Sequence, residues 1–207
     1  MPTVTALRAT RRGHIGLHVD GAFVCVVSEA LVAKWHLFAG RELEDGDLDL
    51  LHSQAAGERI NADAYRLLGH RARSRAELAQ RLAAKGHPAD VVDATIDRLA
   101  ADGLLDDDAF AKAFVTDKRR LSGWGSVRIA RELTKLGVAA DVIAVAIDGE
   151  AGPDETGRAG ELLRRRGAAV PPLDAAKRRA YAFLRRRGFS HETAYRAIQE
   201  WVRGPQA

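Results

Sequence analysis

The spacing of apolar positions changes once along the chain, near residue 45. Before that point Ile15, Leu17 and Val19 alternate with small or polar residues, and Val4 to Leu7 and Ala22 to Val27 are further short apolar runs. This is the two-residue period of strands. Asp20-Gly21 between the second and third runs predicts a tight hairpin, because a type I′ turn needs positive φ at both central positions. Ser28 is placed to cap a short helix with Leu31, Val32 and Trp35 on one face, and Gly40 closes the region. From about Asp45 the spacing is helical nearly to the end.

Within the helical part the punctuation repeats. Gly86, Gly137 and Gly188 stand 51 residues apart. A leucine precedes each by four positions (Leu82, Leu133, Leu184), and an isoleucine follows each by ten (Ile96, Ile147, Ile198). The helices before these glycines are read as 77–85, 128–136 and 180–187, those after them as 88–101, 139–148 and 190–202. A further helix opens each unit, over about 62–72, 107–120 and 154–166. Ser74-Arg75-Ala76-Glu77 is a capping box, and glycine suits the C′ position at Gly86. Any helical protein has some such coincidences, but three positions in register across three units predict a repeat array. The expected fold is mainly α: tandem three-helix repeats behind a small N-terminal β-hairpin/α extension. The divisions are 1–58 (extension), 59–106, 107–150 and 151–207 (repeats 1 to 3), the last preceded by Gly149-Glu150-Ala151-Gly152-Pro153.

Composition narrows the class. At 207 residues and 46% hydrophobic the chain is long and apolar enough to bury a core. No apolar run approaches the ~20 residues of a membrane span, and the first residues lack a secretory pattern. A single cysteine, Cys25, cannot form an internal disulfide, which fits a reducing cytoplasm. The net charge of +4 hides a gradient. The four divisions carry 5 bases against 8 acids, 8 against 8 (counted to residue 107), 7 against 6, and 12 against 6. The chain is acidic in front and basic behind.

Catalytic and metal motifs are missing from the sequence: there is no CxxC, HExxH, GxGxxG or GxxxxGK[ST], so no cofactor, metal or catalytic residue is assigned. Asp106-Asp107-Asp108 could be a paired-carboxylate or Mg²⁺ cluster. Its place before Phe110, Phe114 and Val115 favours a helix N-cap. His70, His87 and His191 near helix ends are read as solvated, and Cys25 and Trp201 as core. The basic runs are the stronger lead: Lys118-Arg119-Arg120, Arg164-Arg165-Arg166, Lys177-Arg178-Arg179 and Arg185-Arg186-Arg187. Three consecutive helical residues fan through about 200°, so at least two must reach water or a partner. Compensation of a helix dipole accounts for one or two cations per end, not three. Trp124, between Gly123 and Gly125, either stacks on a partner or folds back over the core beside it.

The second repeat carries a resemblance. Gly103-Leu104-Leu105-Asp106-Asp107-Asp108-Ala109-Phe110, then Phe114, Gly123-Trp124-Gly125, Arg128-Ile129, Arg131-Glu132-Leu133 and Leu136-Gly137, strongly resembles the RecX family of regulatory proteins. Ala64-Tyr65-Arg66-Leu67-Leu68 with Arg73-Ser74, Glu77-Leu78 and Leu82 looks like that family's first repeat, and Phe183 to Phe189 like its third. The front hairpin resembles the extension of some members. Departures are Leu104, where an aromatic is common, and Ser126, where Pro or Ala often stands. The resemblance implies an elongated, curved array without catalytic residues. It implies a protein of DNA repair, recombination and the SOS response; a cytoplasmic monomer is the expected state, with oligomeric state left open by the sequence. Such a protein lodges in the groove of the RecA recombinase filament and restrains its ATPase, recombination and co-protease activities. Single- or double-stranded DNA is a further expected partner, and an autonomous nucleic-acid-binding repeat protein is the alternative reading. The residues expected to meet filament or DNA are Lys118, Arg119, Arg120, Trp124, Arg164, Arg165, Arg166, Arg178, Arg179, Arg185, Arg186 and Arg187.

Overall fold

The structure is a computed structural model, and it describes residues 1–10, 14–149, 154–167 and 174–203. The expected boundary at 150/151 lies outside the described residues. Three strands, β1 (Val4–Ala9), β2 (Ile15–Val19) and β3 (Ala22–Val27), form an antiparallel meander in the order β1-β2-β3. The Asp20-Gly21 turn has φ of 50° and 82°, as the hairpin requires. Ten helices follow among the described residues: α1 (Glu29–Lys34), α2 (Asp47–His70), α3 (Arg75–Ala83), α4 (Ala89–Ala101), α5 (Asp107–Ser122), α6 (Ser126–Lys135), α7 (Ala140–Asp148), α8 (Glu155–Arg165), α9 (Asp174–Arg187) and α10 (His191–Arg203). They supply the three expected triplets, with the 51-residue glycines at φ of 86°, 76° and 89° in the turn between the second and third helix of each. The mainly α tandem-repeat architecture with a small N-terminal sheet is thus the observed one.

The chain divides into two compact units, Met1–Arg71 with Leu78–Arg98, and Ala72–Glu77 with Leu99–Ala207. In the first unit, Val4, Leu17, Val19, Val27, Leu31, Leu37, Leu43 and Leu51 form one buried cluster that joins the sheet to α1 and the start of α2. Ser28 Oγ accepts from Leu31 N at 3.0 Å and caps α1. Burial pushes the Cys25 thiol up. Helix α2 runs unbroken across position 58/59, so the extension and the first repeat share one helix. Nothing in its sequence stops it there: Leu51, Ala55, Ile60 and Ala64 keep a continuous buried stripe.

His87 is buried rather than solvated, with Nε2 3.0 Å from Asp63 Oδ2. Lys85 Nζ lies 3.1 Å from Asp63 Oδ1, and Arg66 also pairs with it. Burial raises the Asp63 carboxyl, but the hydrogen bonds from His87, Lys85 and Arg66 outweigh it and hold the pKa down to about 2. A depressed carboxylate stabilises the fold in full above its ordinary value of 3.8 and stops doing so as pH falls through 2. Asp63→Asn is therefore expected to lower stability at pH 7, with the gap to the parent protein closing between about pH 4 and 2. Urea unfolding at both ends of that range checks this, and a gap that persists at pH 2 would contradict it.

In the second unit two cores form. Ala111, Val115, Ile129, Leu133, Val138, Ile143 and Ala146 bury the inner faces of α5, α6 and α7. Ala159, Leu163, Ala180, Leu184, Phe189, Ala194, Ala197 and Ile198 do the same for α8, α9 and α10, with Trp201 half-buried against them. The acidic triplet caps helices. Asp106 Oδ1 accepts from Ala109 N at 2.9 Å at the start of α5, and Asp107 Oδ1 accepts from Arg75 N at 2.9 Å at the start of α3. Asp107→Ala should cost roughly 1 kcal/mol of stability, measured by denaturant unfolding. No change at all would contradict the cap.

Two places in this unit repeat one contact. Ser74 Oγ donates to Leu136 O, and 51 residues on Gly125 N donates to Arg187 O at 2.9 Å. The acidic residue that opens the next triplet reaches the first amide of the preceding second helix in both. Asp107 does so at Arg75, and Glu155 Oε1 takes Ser126 N at 2.5 Å. The register read in the sequence is therefore also a register of contacts.

Candidate interaction surface of the second and third repeats

Helix α5 places Phe110 and Phe114 on its inner flank, one turn apart and half-buried against the second core. Trp124, in the short link to α6, folds back onto this core. Its ring meets Phe114 edge-on at 6.5 Å. Lys118 follows Phe114 by one turn, which carries its Nζ to 5.1 Å from the centres of both the Phe114 and Trp124 rings. Arg128, one turn beyond Trp124, lays its guanidinium 4.0 Å over the same indole. Trp124 thus carries two cations. Each such contact is worth about 0.5–1 kcal/mol where water reaches it.

The third repeat builds a similar arrangement on Phe183 of α9. Arg187, one turn later, sits 5.2 Å over the ring, and Arg166 at the end of α8 sits 4.6 Å over it. The two groups touch: Arg187 Nη1 donates to Ser122 O at the end of α5, and Arg128 Nη1 donates to Arg186 O at 3.5 Å. Lys118, Trp124, Arg128, Phe183, Arg187 and Arg166 therefore form one chain of rings and cations. Among the described residues no carboxylate forms a salt bridge with Lys118, Arg128, Arg166 or Arg187, although Glu132 lies near enough to Arg128 to feel its charge. Stacking on a ring orders a cation without neutralising it, so these groups hold their charge in place for an anion.

The other expected site residues separate. Arg119 turns inward: its Nη2 donates to Ile147 O at 2.9 Å and holds the end of α7. Arg185 Nη1 donates to Phe189 O at 2.8 Å across the glycine turn. Arg164 and Arg165 share Glu161, with contacts of 3.0 and 2.9 Å, and their hydrogen bonds, Arg165 first, lower its pKa. Arg120, Arg178, Arg179 and Arg186 are exposed, with Arg178 bordering a groove between α9 and α10. Arg128 and Phe183 belong to the cluster although they are not among the site residues expected from sequence. The available signal was the four-residue step from Trp124 to Arg128 and from Phe183 to Arg187. Among the described residues no three His, Cys, Asp or Glu side chains stand together as a metal site. No helix of the described residues is long and apolar enough to cross a membrane.

Comparison with known proteins adds the family. Residues 62–99 match the model of the first three-helix domain of RecX, and residues 106–147 that of the second. Regulatory protein RecX of Mycobacterium ulcerans is 41% identical over 144 residues, 68% of this chain and 83% of that protein. RecX of Halorhodospira halophila is 40% identical over 156 residues, 73% of this chain and 96% of that protein. Two solved structures share the fold at 19% identity. One is a crystal structure of regulatory protein RecX (TM-score 0.66, 97% of this chain and 100% of that one). The other is RecX from Lactobacillus salivarius (TM-score 0.61, 70% and 96%). With the paired domain matches, the 51-residue register and these relatives, the chain belongs to the RecX family of regulatory proteins.

Proposed function

We propose that the chain is a non-enzymatic regulator that binds the filament of the RecA recombinase in the cytoplasm and restrains its ATP hydrolysis, recombination and co-protease activities. The observation that carries this reading is the ring-ordered set Lys118, Arg128, Arg166 and Arg187, none of which forms a salt bridge among the described residues. A nucleoprotein filament offers phosphates and acidic side chains at regular spacing. A surface whose cations are already positioned loses less side-chain entropy on meeting either. Arginine adds a planar fork matched to both anions.

Family membership supports the partner, since the relatives are regulatory proteins by name. The test is to titrate the chain into DNA-stimulated ATP hydrolysis by the cognate RecA. The rate is expected to fall as the ratio rises, and an unchanged rate at every ratio would contradict the proposal. The same cations favour a second reading, direct binding to nucleic acid without RecA. In that case log affinity for duplex DNA falls linearly with log salt, by about 0.9 for each phosphate neutralised. Weak, salt-insensitive binding would count against it.

A further inference from the structure

The repeated contact in the second unit exposes an exception in the third repeat. At the first two positions of the register, the segment opening the second helix receives the following triplet. Arg75 N takes Asp107, and Ser126 N takes Glu155. The glycine turn of that triplet lies so close that a Cβ at Gly137 would overlap Ala76, and one at Gly188 would overlap Arg128. The third occurrence of the segment is Ala176-Lys177-Arg178-Arg179, 51 residues beyond Gly125 to Arg128.

Two features make this copy different. Helix α9 opens at Asp174, three residues before the register position Lys177, so the amide that would receive a carboxylate lies a turn inside the helix. Arg178 stands where the earlier copies have Ala76 and Val127. A glycine turn like that of Gly137, which sits on the Ala76 methyl group, has no room against it. What adjoins this segment is instead an open groove of about 520 Å³ between α9 and α10. Its lining combines Tyr181, Tyr195, Ile198 and Val202 with Lys177, Arg178, Gln199 and Arg203. Tyr195 is 56% exposed. Lys177 is held by Asp174 at 3.3 Å, whereas Arg178 and Arg203 pair with no carboxylate among the described residues.

We propose that this groove is a docking site for an amphipathic helical segment of a partner protein whose apolar stripe is flanked by glutamate or aspartate. Two arguments select that occupant. The inner copies of this place take a carboxylate from a helix of the next repeat, so the chemistry of the face is acid-accepting throughout. In the third copy the donor role passes from a backbone amide to the side chains Arg178 and Arg203, which reach farther and meet a looser partner. The apolar floor then takes aliphatic side chains spaced at i, i+3 and i+4.

The test uses the full chain and a synthetic amphipathic helix carrying a leucine stripe flanked by glutamates, followed by fluorescence anisotropy. Saturable binding is expected. Tyr195→Ala and the pair Arg178→Glu/Arg203→Glu should each weaken it about tenfold, and Lys118→Glu, outside the groove, should change it less than twofold. These positions are exposed or lie on the rim, and far-ultraviolet circular dichroism checks that each variant keeps its helices. Failure of the wild-type chain to bind the peptide overturns the proposal. So does equal binding by the groove variants, or equal binding of a sequence-scrambled peptide, which would reduce the effect to charge. Binding of an oligothymidine at the groove in place of the peptide would assign the site to nucleic acid. Micromolar self-association lost in the groove variants would assign it to a second copy. Either result overturns the proposal without bearing on inhibition of RecA.

Discussion

Gly188→Ala is expected to cost about 3 kcal/mol of stability, and Gly86→Ala, at the equivalent position two repeats earlier, only about 1 kcal/mol. Both glycines hold left-handed φ, 89° and 86°, so both substitutions pay the same ~1 kcal/mol for placing a Cβ in that region. They differ in what the Cβ meets. At Gly86 nothing lies within 4 Å, whereas at Gly188 the new atom would overlap the backbone and Cβ of Arg128. Backbone does not yield as the end of a flexible side chain does, and forced shifts of this kind cost roughly 1–3 kcal/mol. The same shift would loosen Gly125 N and Val127 N from their acceptors Arg187 O and Gly188 O. Urea unfolding followed by circular dichroism measures the pair. Equal losses at the two positions would show that the contact between the α6 and α9–α10 segments contributes little.

The second large effect is on regulation. The triple variant Lys118→Glu/Arg120→Glu/Arg166→Glu is expected to raise the concentration needed for half-inhibition of RecA ATP hydrolysis about 100-fold, which is ~2.7 kcal/mol. That is roughly 0.9 kcal/mol per reversed charge, within the range for charge-assisted contacts at a partly wet interface. Lys118 and Arg166 stack on rings rather than on carboxylates, and Arg120 is exposed, so the reversals remove charge from the surface without breaking an internal ion pair. Arg164→Gln/Arg165→Gln is a milder control, removing two charge units where the triple variant changes six. Glu161 already partners both, so their loss should move half-inhibition less than threefold. A control as damaging as the triple variant would mean that total charge, not the ring-ordered cluster, sets binding.

How legible these features were depended on how far apart in the chain the interacting residues stand. The hairpin at Asp20-Gly21, the Ser28 cap and the Asp106 cap are local signals, each set by residues within about four positions of one another, and the 51-residue register is a local glycine signal repeated three times; all four appear in the structure. The continuity of α2 was missed because the change of composition near residue 58 carries no helix stop. His87 was read as solvated because its partner Asp63 lies 24 residues earlier. The fate of the arginine runs was the hardest to read. Composition shows that three adjacent arginines cannot all face inward, but not which one does. Arg119 is selected by Ile147 O, 28 residues away, and Arg187 by Ser122 O, 65 residues away. Trp124 had two open readings, and the structure seats it against the second core while its ring still bears Lys118 and Arg128.

The central claim is that the ring-ordered cations attach this chain to a RecA filament. Co-sedimentation with RecA filaments assembled on single-stranded DNA tests it most directly, with the wild-type chain and the triple variant run beside DNA alone. The account predicts that the wild-type chain pellets with the filaments and that the triple variant stays in the supernatant at the same concentration. A wild-type chain that remains in the supernatant, or a triple variant that pellets equally, would contradict it.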